Sequence, residues 1–200
     1  MSWPTASDVE ARTGIALTDG ATSYGLDVSE LLDRAKAFAE SYCHRSFDEA
    51  EVTEEHDGGV VIGISRPPIV SVSSLTYNGV ALAENDDFYI YPFYIYIEGT
   101  RLRDLESRAP FERDPKAISI TYVGGYSDDS GDHIPIPSEL KEIVLEIACR
   151  WLLRIDQRYR EDKNAERITV GEMSAVFVSP EDDMADLLRR LDQFKLPVIE

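Results

Sequence analysis

Cysteine, histidine and methionine are scarce in this 200-residue chain, at two, three and three residues. Two cysteines make no disulfide scaffold; Cys43 and Cys149 both fall within helical patterns and read as buried free thiols. His44, His56 and His133 stand apart, with no second histidine at metal-ligand spacing, so the usual sequence signature of a zinc site is missing. Long apolar runs are missing too. The hydrophobic stretches are short and broken by charge, which predicts neither a signal peptide nor a membrane-crossing helix and fits a soluble protein of a reducing compartment. Basic residues are outnumbered, 20 Lys and Arg against 38 Asp and Glu, a net charge of −18. Such a surface repels nucleic acid rather than gripping its phosphates, so a DNA-facing role survives only where DNA slides past.

What is present supports a real core. The hydrophobic fraction is 43%, and the length fits one domain, or one with a small appendage. The acidic surplus sits at the two ends: residues 1–60 hold 13 acids and 4 bases, 61–126 hold 8 and 6, and 127–200 hold 17 and 10.

The strongest local pattern is Ile136 to Arg160. Leu140, Val144, Ile147, Trp151 and Ile155 recur at steps of three or four, and Ile143, Ala148 and Leu152 widen the stripe, predicting the core face of a long helix. Pro137 suits the first turn and Ser138 is an alternative cap; Glu146 and Arg150 form an i, i+4 pair. Two helices precede it. Thr5 caps the first, with Asp8 in the reciprocal position and Gly14 at its end; Asp27 caps the second, whose stripe runs Leu31, Leu32, Ala35, Phe38, Ala39, Tyr42 to about His44. The glycine-rich 14–26 stretch reads as a loop or mobile link. A last helix starts at Ser179-Pro180 and carries Met184, Leu187, Leu188 and Leu191.

Between the helices lie strands. Residues 51–55 and 60–64 flank Asp57-Gly58-Gly59, a hairpin signal. A strand follows over 69–77, turning at Asn78-Gly79 into Val80–Leu82, and AISITYV over 117–123 ends at Gly124-Gly125. In DDFYIYPFYIYIEG, period two predicts an isoleucine face and a tyrosine face, with Pro92 at the bend or on an edge. Residues 104–116 and 126–133 read as loops, 161–167 as exposed chain, and 168–178 as having some strand character.

No constellation for catalysis or cofactor binding emerges. Asp128, Ser130 and Asp132 around Gly131 lack the glycine and glutamate positions of a calcium loop. Cys43 and His44 are neighbours on a helix, where adjacent side chains diverge. Gly58-Gly59 and Gly124-Gly125 are too short to cradle a phosphate. No metal, no cofactor and no enzymatic activity are expected. The tyrosines are the better lead: Tyr89, Tyr91, Tyr94 and Tyr96 line one face of a strand pair and either cover the core or form an interface. Arg108 and Arg113, with Lys116, stand in or beside the adjoining loop and would complement an acidic neighbour such as a second copy of the chain.

Taken in order, AESYCHRSF at 39–47, RPPIVSVSSLTYNGVAL at 66–82, ISITYVGGY at 118–126 and IPIPSELKEIVLEIACRWLLRIDQR at 134–158 resemble the head–tail connector, or adaptor, proteins of long-tailed double-stranded DNA phages. The resemblance covers about residues 27–160. It implies one connector-like domain over 1–200, of α+β class and mainly helical: a small helical bundle with a long central helix, packed with a compact antiparallel β part. It also implies a ring, usually of twelve copies, beneath the portal protein, docking the next neck or tail protein (stopper or tail terminator). Double-stranded DNA would pass through the channel without sequence-specific binding. The location implied is the virion, at the head–tail interface, and the host cytoplasm before assembly. No catalytic residues carry over, and acids of 161–183 or of the long helix's polar side would line the bore. The chain departs from the pattern in the 14–26, 107–116 and 161–183 segments, read as docking arms. The rival readings are a stopper or tail-completion protein and, from another class, a small enzyme betrayed by a convergent polar pocket.

Overall fold

The computed structural model describes residues 2–98, 116–127, 133–161 and 181–196. The chain divides into two compact units, one of residues 1–44 and 136–195, the other of 45–135 and 196–200.

The first unit is helical: α1 Ala6–Thr13, α2 Val28–Cys43, α3 Ser138–Glu161 and α4 Glu181–Leu191, closed by a 3-10 turn at Asp192–Phe194. Helix α3 is its axis and packs against α1, α2 and α4. The caps follow from local chemistry. The Asp8 carboxylate accepts from the Thr5 N–H at 2.7 Å and the Thr5 hydroxyl at 2.8 Å, and Asp27 accepts from the N–H of Ser29 at 2.8 Å. Gly14 (φ 71°) and His44 (φ 56°) end α1 and α2 in the left-handed conformation. Residues 14–26 form a series of tight turns in which Thr18 and Ala21 exchange backbone hydrogen bonds and Thr22 N–H donates to the carbonyl of Leu26. Leu140, Val144, Ile147, Trp151 and Ile155 are buried, with Val9, Leu31, Ala35, Met184 and Leu187 among their buried companions in the unit.

Arginines tie the polar sides of these helices together. Arg150 donates to Glu146 on its own helix and to both oxygens of Asp186 on α4; Arg190 reaches back to Glu139 and Glu146, and Arg12 of α1 binds Glu142. Cys43 and Cys149 are buried free thiols. Among the described residues no helix is long and apolar enough to cross a membrane.

Among the described residues the second unit holds seven strands, β1 Ala50–His56, β2 Val61–Gly63, β3 Ile69–Tyr77, β4 Val80–Ala81, β5 Phe88–Ile90, β6 Tyr94–Ile97 and β7 Ile118–Gly124. They form a four-stranded sheet in the order β1-β7-β3-β4 and a three-stranded sheet in the order β2-β6-β5. Every ladder is antiparallel. Strand content of this size corrects one expectation: the fold is mixed α+β, not mainly helical. The buried Ile62, Ile64, Leu75, Phe88, Ile95, Ile97, Ile118, Ile120 and Tyr122 form one core.

A second correction concerns Asp57-Gly58-Gly59. The strands on either side of this turn do not pair as a hairpin: β1 pairs with β7, and β2 pairs with β6 in the other sheet. The turn carries the chain between sheets. Its chemistry is met by tertiary partners, since Asp57 accepts from the N–H of Lys116 at 3.1 Å and a Cβ on Gly58 would lie 3.2 Å from the Tyr77 hydroxyl. Gly124 is likewise required by close approach, because a Cβ there would sit 2.2 Å from the carbonyl oxygen of Arg66. The extended tract expected at 168–178, the cap at Ser179-Pro180 and the 104–115 loop lie outside the described residues.

The helical unit depends on the α3 stripe. Ile147→Ala, at a fully buried position, is expected to cost about 2–4 kcal/mol, read as a lower urea midpoint with an unchanged slope. An effect below about 0.5 kcal/mol, the range of surface substitutions, would show that the stripe is not tightly packed.

Candidate functional site

Two features of the β unit stand out chemically, a polar cluster around Glu54 and an aromatic sheet face.

Glu54 lies on the partly inward-facing side of β1. Its Oε1 accepts from the Tyr122 hydroxyl at 2.6 Å, from the Ser65 N–H at 3.2 Å and from the Ser65 hydroxyl, while Oε2 accepts from Nε2 of His56 at 3.0 Å. The Tyr122 hydroxyl in turn accepts from the N–H of Arg66 at 3.1 Å. A cleft of about 280 Å³ opens beside this cluster, lined by Glu54, His56, Gly63, Ile64, Ser65, Phe93 and Leu196. The groups are those of a hydrolytic site, but the connectivity is not. Ser65 and His56 both donate to the same carboxylate, so the serine proton faces an acceptor and not an imidazole base. Burial alone would raise the Glu54 pKa; the donors His56, Ser65 and Tyr122 outweigh it and hold the group down at about 2, too weak a base for proton abstraction near neutral pH. Burial, with the Glu54 charge beside it, pushes Tyr122 up to about 12. The cluster is a lock between β1, β7 and the 64–66 turn.

The remaining histidines are local. His133 Nδ1 binds Glu49 at 2.7 Å and His44 caps α2. Among the described residues no group of three or more His, Cys, Asp or Glu side chains is placed to hold a metal ion. Arg45, 6% exposed, packs between the rings of Phe47 and Tyr126 and donates to the carbonyl of Pro67, bracing the loop that contains the cis Pro67-Pro68 bond.

The aromatic face is built by register. Tyr89 pairs with Tyr96 and Tyr96 with Val61; one step along, Ile90 pairs with Ile95 and Ile95 with Ile62. Alternation sends Ile95 and Ile97 into the core at 0% exposure and leaves Tyr89 at 39% and Tyr91 at 43%. Tyr94 and Tyr96 are half-buried. The Tyr91 and Tyr94 rings stack with centroids 4.6 Å apart. The sequence pattern does not single out Val60, Val61 and Phe93, which are also exposed apolar residues; Phe93 occupies the hairpin tip, Val61 opens β2 and Val60 immediately precedes it. Arg108 and Arg113 lie outside the described residues.

A scan against protein-family models finds no match, and no curated protein matches the sequence significantly. Solved structures do. A chain in the neck of an empty GTA particle, computed with C6 symmetry, aligns with a TM-score of 0.50 at 14% identity over 98% of this chain and 90% of that one. A chain in the neck of the native GTA particle, computed with C12 symmetry, gives 0.47 at 13% identity over 100% and 94%; one in the virion of the native gene transfer agent (GTA) particle gives 0.48 at 13% over 100% and 95%. At this identity the likeness is one of fold.

The Glu54 lock has a pH signature. A pKa depressed from 4.5 to about 2 means stability present above pH 4.5 and lost as pH falls towards 2. Glu54→Gln is expected to be about 2 kcal/mol less stable than the parent at pH 7, with the gap narrowing at pH 3 in urea titrations. A gap that stays constant between these pH values would refute the assignment.

Proposed function

We propose that this chain is a structural neck protein of a phage-like particle, acting as the head–tail connector that forms a ring under the portal and continues the DNA channel. The observation that carries this reading is the shared fold over 98% of the chain with a component of a GTA particle neck. It agrees with the ordered segment resemblance at 39–47, 66–82, 118–126 and 134–158. The chemistry of the β unit supports a non-enzymatic role: the cluster of hydrolase-like groups around Glu54 is wired as a lock, with the carboxylate held ionised.

The acidic balance suits a conduit, because a wall of the same sign as DNA makes no adhesive contacts. Within α3, however, Glu139, Glu142 and Glu146 are engaged by Arg190, Arg12 and Arg150. These acids brace the helices, so the repulsive lining is assigned to other parts of the acidic chain. The partners in this reading are the portal protein on one side, the stopper or tail terminator on the other, and like copies within the ring. Twelve copies are expected on the portal.

Light scattering of the chain alone and with its cognate portal ring tests the reading. A discrete portal complex carrying about twelve copies, the number the resemblance implies, is the expected result. No complex at micromolar concentration and moderate salt would overturn the connector position, and binding only to a portal already carrying another ring would identify a stopper instead.

A further inference from the structure

The outer face of β2-β6-β5 joins exposed aromatic surface to charge of a single sign. Val61, Tyr96 and Tyr89 form one row across the sheet, and Tyr94 and Tyr91 lie next to it, with Phe93 at the tip. At the opposite end, where β5 begins and β6 ends, stand Glu84, Asp86, Asp87 and Glu98, with the Glu98 N–H bonded to the carbonyl of Asp87. Residues 69–98 contain these four acids and no lysine or arginine. A partner for this face must bring an apolar knob for the rings and positive charge for the rim.

Like-with-like pairing fails that requirement, since it sets four acids against four acids with no base among them. The helical unit offers the complement. On the last turns of α3, Leu153 is 48% exposed, an unusual state for a leucine in so apolar a helix, and Arg158 is exposed one turn further on. Leu153 with Gln157 and Arg154 with Arg158 form two i, i+4 rows, set about 100° apart around the helix, an offset that the long arginine side chains can span. The distances suit. Tyr91 to Asp87 is four strand residues, about 13 Å; Leu153 to Arg158 is five helical residues, about 7.5 Å, to which the length of the arginine side chain adds.

We infer that the tyrosine face of one copy receives the Leu153–Arg158 side of α3 from a second copy, with Leu153 against Tyr91 and Phe93 and the two arginines towards the acidic rim. The contact is head-to-tail: each copy presents a different patch to each neighbour, the arrangement that closes a ring when the rotation permits. It rests on the ring reading for its biological setting but not for its test. In a chain of net charge −18, a patch pair of opposite sign also restricts how copies meet, because most other approaches bring acid against acid.

Disulfide trapping tests this directly. Tyr91→Cys and Leu153→Cys are made separately in the full chain, oxidised alone and as an equal mixture at high concentration, and read on a non-reducing gel. The unsubstituted chain controls for Cys43 and Cys149, and thermal melts verify that both variants fold. A cross-linked dimer in the mixture, at least fivefold more abundant than in either variant alone, is expected. Asp86→Lys with Asp87→Lys should reduce that yield at least fivefold, and adding Arg154→Glu with Arg158→Glu on the partner should restore it. No cross-link in the mixture, a dimer formed by Tyr91→Cys alone, or no response to the charge exchange would overturn the inference. Failure to bind the portal sinks the connector reading without touching this result. A chain that joins the portal ring yet gives no cross-link there or in solution loses the docking surface and keeps the connector role.

Discussion

Strand β7 has to satisfy three demands at once, and the β unit depends on its doing so. It hydrogen-bonds along its whole length to β1 on one side and to β3 on the other. Its inward residues Ile118, Ile120 and Tyr122 are 0% exposed. The last of these carries a hydroxyl that cannot be left unpaired in an apolar setting. Glu54 resolves that difficulty from the neighbouring strand, and its own buried charge is offset in turn by Ser65 and His56. A single carboxylate thereby ties β1, β7 and the approach to β3 together, and Gly124 and Gly125 let Arg66, Pro68 and Asp48 pass close to the end of β7. These side chains would look catalytic in a list of residue types. Their hydrogen bonds make them structural.

The other sheet uses the same alternation differently. Its inward isoleucines complete the core, and its outward tyrosines leave a broad amphipathic surface with a polar hydroxyl on each ring. Exposed aromatic area of this kind is costly for a soluble monomer and is found where partners dock. The helical unit shows a parallel division: α3 buries one stripe, spends the acids of its first turns on arginines of α1, α3 and α4, and keeps Leu153 and Arg158 outward near its end.

Much of the helical unit and of the aromatic face was legible in the sequence, because both are written in short-range periodicity. The Thr5 and Asp27 caps, the Gly14 stop, the α3 stripe and the isoleucine–tyrosine alternation each depend on residues within a few positions of one another. What misled was Asp57-Gly58-Gly59. Its turn chemistry is real, but a turn states only that the chain bends, and pairing is decided by which long-range ladders bury Val52, Ile62 and Ile95 best. The short strands β2, β4 and β5 were legible too, through the turn signals and alternation at 60–64, 78–82 and 86–97; the mainly helical proportion came with the family resemblance and not from residue patterns, and the strand content corrects it.

By itself, then, the amino-acid order determined the helices and their buried faces, the two-sided character of the tyrosine strands, and the charge that makes nucleic acid an unwelcome contact. These are properties of neighbours in sequence, governed by helical and extended-chain geometry. Tertiary structure alone decided that β1 and β2 part into separate sheets, that Val61 joins Tyr89 and Tyr96 in one row, and that Glu54 meets Tyr122. Those outcomes join residues 28 to 74 positions apart, and only the competition for a common core and for the last unpaired hydrogen-bonding groups selects among them.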